Sequence, residues 1–337
     1  MRSGVLTRLV PIFWTAVLGA LAACGARDDA TVLRIAHTMN QEHPVHHAML
    51  SMADRIDELS GGEMTMMVYA SGQLGSEREL IELLQIGSVS MAKVTTLSLE
   101  GFSPEMAVFS TPYLFEDNDH LWRVLDGDVG RDLFEGLEPV LLKGIGYYEA
   151  GSRSFYTKDA PVRTPADLAG KKIRVLPSRA AIEMVDALGG SATPVTFAEL
   201  YTGLQQGVVD GAENNPPSYY LNRHFEAAPY YSLDEHTSPP DAVLMSLRVW
   251  EGLSAQEREW LMQAMRESTA LQRTLWAEAE AEALAAVEAA GGTIIRPDKQ
   301  PFRDAVAPLR RQHIGTPIGA LIERIEAEGS APTRGAE

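Results

Sequence analysis

The chain has 337 residues, 45% hydrophobic and 22% charged, with a mean hydropathy of −0.10. That is a globular composition, long enough for two lobes of ordinary size. Its 29 basic residues face 46 acidic ones, a net charge of −17, which excludes nucleic acid and anionic lipid surfaces as partners but still admits a small anion held by local cations.

The first residues, "MRSGVLTRLVPIFWTAVLGALAAC", have a basic start, an apolar run from Leu9 to Leu21 and small residues before Cys24. This pattern predicts a secretory signal over 1–23; the run is too short for a spanning helix. "LAAC" resembles a lipobox, which predicts cleavage before Cys24 and lipidation of that residue, against the plainer reading of a signal-peptide cysteine. Cleavage removes Arg2 and Arg8 and no acid, moving the net charge from −17 to −19. Cys24 is the only cysteine, so no disulfide can form within the chain and the fold must hold by its core.

Beyond the acidic spacer "ARDD" the pattern turns α/β. "TVLRIAH" reads as a first strand, and "HPVHHAMLSMADRIDELSGG" as a helix stopped by two glycines. "EMTMMVYA" is a strand. "SERELIELLQIG" is a helix opened by a capping box, Ser76 with Glu79. "VSMAKVTT" is the next strand, and the alternation continues through "FSTPYLF", "DHLWRVLDG", "VGRDLFEGLEPVLLKG" and "IGYYEAGSRSFYT". A second series follows. "TPADLAG" is a short helix with Thr164 as cap and Pro165 in its first turn. "KKIRV" is a strand, "SRAAIEMVDALGG" a helix and "ATPV" a brief strand. "TFAELYTGLQQG" carries a second capping-box pattern, Thr196 with Glu199. "VVDGAEN" is a strand and "PPSYYLNRH" begins a helical turn. "YYSLDEH" and "AVLMSLRVW" read as strands crossing between lobes. A helix of about 35 residues from Ser254 would extend roughly 50 Å, too long for one small lobe to bury. The fold class is therefore α/β, with two lobes around a cleft and a long bridging helix. The division places 31–150 with 240–280 in one lobe, 151–239 with 281–328 in the other, and leaves 329–337 as a loose tail.

Catalytic signatures are absent: there is no G-x-G-x-x-G, phosphate loop, H-E-x-x-H or G-x-S-x-G. The cluster His43, His46 and His47 has spacing suited to a metal, but no second cluster supplies further ligands, and a solvated loop is the favoured reading. No metal or cofactor is expected. What remains are polar residues at strand ends: Arg153 in "GSRSFYT", Arg174 in "KKIRV", and Glu213, Asn214 and Asn215 in "VDGAENN". In open α/β sheets ligands sit beyond the carboxyl ends of strands, and a guanidinium fork matches a carboxylate with two parallel bonds. The competing reading of Arg174 is a buried ion pair with Glu213 or Asp210. The asparagines also read as turn residues, and Phe197 as core.

"SGQLGSERE", "TPYLF", "GSRSFYT", "DLAGKKIRV", "TPVTFAELYTGLQQGVVDGAENNPPSYY" and "DEHT" together resemble the periplasmic substrate-binding proteins of TRAP transporters, the DctP type, over about residues 32 to 310. The resemblance implies a non-enzymatic receptor that captures an organic anion and delivers it to a sodium-driven membrane permease. It implies Arg174 as the central carboxylate ligand, with Arg153, Asn214 and the aromatic Phe197 beside it. Pro216 and Pro217 following a second asparagine, Asn215, vary the pattern, and so does the lipobox. "YYEAGSRSFYT" and "DGAENNPPSYY" resemble the branch for sugar acids, especially hexuronates. His37, Glu77, Lys93 and Asn215 are then expected to meet hydroxyls. Their plainer readings are loop polarity for His37, first-turn helix charge for Glu77 and a solvated strand residue for Lys93. The runner-up ligand is a four-carbon dicarboxylate or another small carboxylate, with Arg153 and Arg174 each available for one end. A periplasmic sugar-acid enzyme or a sensor are the other classes left open.

Overall fold

Local signals in the chain set the element ends. In the computed structural model, which describes residues 30–329, Ser76 and Glu79 form the capping box that opens the helix Glu77–Ile86, and Gly87 closes it at φ 77°. Such left-handed backbone favours glycine. The second expected box does not form: Thr196 Oγ1 donates to the Glu199 carboxylate at 2.5 Å and makes no side-chain bond to the helix backbone. The signal segment, Cys24 and the tail beyond Gly329 lie outside the described residues; Gly329 itself closes the helix Pro317–Gly329.

Eleven strands occur among the described residues: β1 (Thr31–Ala36), β2 (Met64–Tyr69), β3 (Met91–Thr95), β4 (Leu142–Tyr148), β5 (Arg153–Thr157), β6 (Lys172–Val175), β7 (Ser191–Pro194), β8 (Gly211–Asn214), β9 (Tyr230–Thr237), β10 (Asp241–Ser246) and β11 (Thr293–Ile295). "FSTPYLF" is not among them, because Pro104–Ser110 winds as a 3₁₀ helix and a turn follows. The strand in "AVLMSLRVW" stops at Ser246, where a short helix, Leu247–Gly252, begins.

The strands form two sheets. The first runs β2-β1-β3-β10-β4 and the second β11-β9-β5-β8-β6-β7. In each sheet a parallel set is joined by antiparallel strands: β10 lies between β3 and β4, and β5 between β8 and β9. The chain crosses between sheets at β4–β5 and again at β9–β10. The helix Ala255–Ala289 braces both lobes. Leu261, Ala264 and Met265 near its start pack in the first lobe, and Val287 near its end packs in the second.

Each sheet carries apolar clusters on both faces, as strands buried on two sides require. The last helix, Pro317–Gly329, puts Ile322 and Ile325 into the first lobe's cluster, although 281–328 was assigned from sequence to the second. Its apolar stripe is satisfied by a surface remote in sequence.

Candidate ligand-binding cleft

Between the lobes lies a cleft of about 710 Å³ lined by residues of both sheets. Seven of the eight residues singled out from sequence line it: Glu77, Lys93, Arg153, Arg174, Phe197, Asn214 and Asn215. His37 does not. It is fully buried, its Nε2 meets His46 Nδ1 at 3.0 Å, and burial, with Lys93 assisting, holds it down to about 3. The neighbouring cleft position goes to His43, the N-cap of the helix Pro44–Ser60, whose Nδ1 accepts from Val45 N at 3.3 Å.

The second-lobe end is built on β5, β6 and β8. Arg174 is completely buried, and only Nε has a partner among the described residues, donating to the Val195 carbonyl at 2.8 Å; Nη1 and Nη2 have none. Burial pulls its pKa down to about 10, so it keeps its charge at neutral pH. The Phe197 ring lies 5.9 Å from its Cζ, within reach of a cation–π contact.

The expected ion pair of Arg174 with Glu213 or Asp210 is not formed, and the register explains why. Arg174 is paired with Ala212 across β6 and β8. Alternation then puts Arg174 on the face of Ala212 and Asn214, with Glu213 on the opposite face. Asp210 Oδ2 instead accepts from Lys172 N at 2.8 Å. Glu213 pairs with Arg153, at 2.5 Å to Nε and 2.9 Å to Nη2. Arg153 Nη1 donates to Asn214 Oδ1 at 3.0 Å. Burial alone would raise Glu213; Arg153 and His236 outweigh it and hold the carboxyl down to about 2. His236 is 2.9 Å from Asp234 and 3.6 Å from Glu213. Burial opposes its charge, but these two carboxylates push it up to about 9.

The first-lobe end is a lysine between two acids. Lys93 Nζ lies 2.9 Å from Asp241 Oδ2 and 3.5 Å from Glu77 Oε1. Val243 pairs with Lys93 across β10 and β3, so Asp241, two residues away, is the diagonal neighbour on the same face. Glu77 also accepts from Ser98 Oγ at 2.6 Å and Thr95 N at 3.2 Å. Burial pushes Glu77 up despite Lys93; Lys93 is raised because Asp241 and Glu77 outweigh its own burial.

Sequence reasoning missed Asp241, His43, Ser218 and Trp276 as cleft residues. Asp241 and Lys93 lie 148 positions apart, and only strand pairing joins them. His43 stood in the cluster with His46 and His47, which was read as a solvated loop, and its capping of the helix Pro44–Ser60 was not anticipated.

Two lobes, a cleft where the chain crosses between them and, among the described residues lining it, a buried guanidinium, Arg174, whose Nη1 and Nη2 have no partner fit a solute-binding protein. The model of the family described as bacterial extracellular solute-binding protein, family 7, matches residues 35–315. A Salmonella typhimurium protein, YiiZ, is 40% identical over 83% of this chain and 86% of its own. A TRAP periplasmic solute-binding protein of a Bradyrhizobium species, solved with α/β-D-galacturonate, is 38% identical with a TM-score of 0.85, covering 88% of this chain and 99% of the other. Another, from Anaerococcus prevotii with α/β-D-glucuronate, is 35% identical with a TM-score of 0.86, covering 88% and 98%. The chain belongs to this family and is a periplasmic TRAP solute receptor of the DctP type, a non-enzymatic class.

Proposed function

We propose that the receptor binds a hexuronate, D-glucuronate or D-galacturonate, and delivers it to a TRAP permease. The observation that carries this is Arg174: a buried guanidinium with Nη1 and Nη2 unpartnered among the described residues, lining the cleft. A sugar carboxylate would meet that fork with two parallel charge-assisted bonds. Asn214, Asn215, Lys93 and Glu77 then serve the hydroxyls, and Phe197 the ring. The bound ligands of the two similar solved structures support the choice. A four-carbon dicarboxylate clamped between Arg153 and Arg174 is less well served, because Arg153 is held by Glu213.

Closure of the lobes completes the site. Micromolar affinity needs about 8 kcal/mol, whereas a hydrogen bond to a charged group contributes about 1.5–3 kcal/mol. Arg174 alone is insufficient, so contacts from both lobes must add. We also propose that Cys24 is lipidated and tethers the receptor to a membrane.

A thermal-shift series tests the ligand. Hexuronates should raise the melting temperature, because a ligand binding only the folded state at 100 times its Kd adds about 2.7 kcal/mol. Stabilisation by succinate or malate with no response to either hexuronate would overturn the assignment.

A further inference from the structure

We infer that Asp241 makes this cleft selective for a monoanion: it cancels Lys93 and leaves the first-lobe end able to take hydroxyls but not a second carboxylate. The inference rests on the proposed sugar-acid reading and adds which acids are refused, and by which residue.

The two ends of the cleft differ in charge: one holds a free cation and the other does not. At the second-lobe end Arg153 and Glu213 neutralise each other, as do His236 and Asp234, and Arg174 stands over as a free cation. At the other end Lys93 is 2% exposed and faces two carboxylates, Asp241 at 2.9 Å and Glu77 at 3.5 Å. An ammonium has three N–H donors. One is donated to Asp241, and Glu77 lies against the same nitrogen at 3.5 Å, which leaves donor capacity for a ligand oxygen but no uncompensated charge. With Glu77 ionised, the trio is net negative; with Glu77 protonated, it is neutral. In neither state does it hold a free cation. The rim adds Glu79, Glu82 and Glu199 against Arg78, and Arg78 is itself paired to Glu82 at 3.1 Å.

A hydroxyl suits such a trio, because it accepts from Lys93 and donates to a carboxylate in one contact. A second carboxylate can only accept, and it would lie against Asp241 and Glu77 in a site partly shielded from water, where like charges repel strongly. Specificity of this kind comes from an unfavourable placement built against the wrong ligand. The discriminating comparison is therefore between a six-carbon sugar acid and the diacid of the same skeleton.

Calorimetry with D-glucuronate, D-gluconate and D-glucarate on the wild type, Asp241→Asn and Glu77→Gln provides the test. The wild type should bind its preferred monoacid at least about tenfold more tightly than glucarate. Asp241→Asn should narrow that ratio by about tenfold, mainly through tighter glucarate binding. Glu77→Gln should narrow it less, since Glu77 is the more distant partner of Lys93. Circular dichroism and a melting curve establish that each near-isosteric variant is folded. Equal binding of glucarate and the monoacid by the wild type would refute the inference. So would an unchanged ratio in folded Asp241→Asn. Preference for gluconate over glucuronate would sink the hexuronate reading alone, because the monoacid-to-diacid ratio is still read.

Discussion

Arg174 sits between Ile173 and Val175, which pack in the cluster on one face of the second sheet while Arg174 turns to the other. Burying an unpaired cation destabilises the folded chain, and the arrangement makes sense only if a ligand supplies the partner. Two effects of one substitution follow. Arg174→Met should raise the melting temperature of the ligand-free protein, since an apolar side chain replaces a desolvated charge. It should also weaken ligand binding by about 2–5 kcal/mol, the range for truncating one partner of a buried charged pair. Calorimetry and thermal melts check both; a variant that binds with wild-type affinity removes Arg174 from the site. The type and strand of this residue were legible in "KKIRV". Its freedom from Glu213 was not, because the face each residue takes depends on the register of β6 on β8.

The long helix Ala255–Ala289 is more than a brace. Gln272 on it is fully buried; its Oε1 accepts from Glu149 N at 2.8 Å and its Nε2 donates to the Glu149 carbonyl at 2.9 Å. Glu149 lies where the chain leaves β4 for β5, so one side chain pins a crossing segment to the helix. Gln272→Leu keeps the bulk but orphans a buried donor and a buried acceptor, at about 1–3 kcal/mol each. Urea denaturation should show a loss of about 2–6 kcal/mol; no measurable loss would mean water takes over both bonds. The helix itself was legible from its Ala-, Glu- and Leu-rich composition, and the structure adds the capping box of Ser254 with Glu257 that opens it. The amide's partner was not, since Glu149 and Gln272 are 123 positions apart.

Across the whole molecule, buried histidines set the response to acid. His37 and His224 are both held down to about 3, His37 by burial and Lys93, His224 by burial and Arg174. The unfolded chain takes up these protons near pH 6.5 and the folded chain does not, so their stabilisation is present above that pH and is lost as pH falls toward 3. Each should account for about 2 kcal/mol of lost stability at pH 5. His236, raised to about 9, has the opposite sign. Its contribution is complete below pH 6.5 and disappears as pH rises through 9, so it offsets less than about 1 kcal/mol between pH 7 and 5. His43, fully buried and held well below its usual value by burial and then by Lys93, acts in the same direction. Urea titrations at pH 7 and 5 should therefore show a net fall, and His37→Asn should reduce that fall by roughly a third. Equal stability at the two pH values would contradict the assignment.

Composition, the alternation of strand and helix signals, the cap at Ser76 and the residue types at strand ends determined by themselves an acidic two-lobed α/β chain with candidate polar residues at strand ends, and the resemblance of its motifs to TRAP receptors added the carboxylate role of Arg174. Those features are local in the chain, where spacing and propensity act directly. Only the tertiary structure decided which charges are already cancelled. Register placed Glu213 on Arg153 and Asp241 beside Lys93, packing buried His37 behind the cleft, and the last helix returned to the first lobe. Charge pairing across strands depends on contacts between residues far apart in sequence, and those exist only once the sheets have formed.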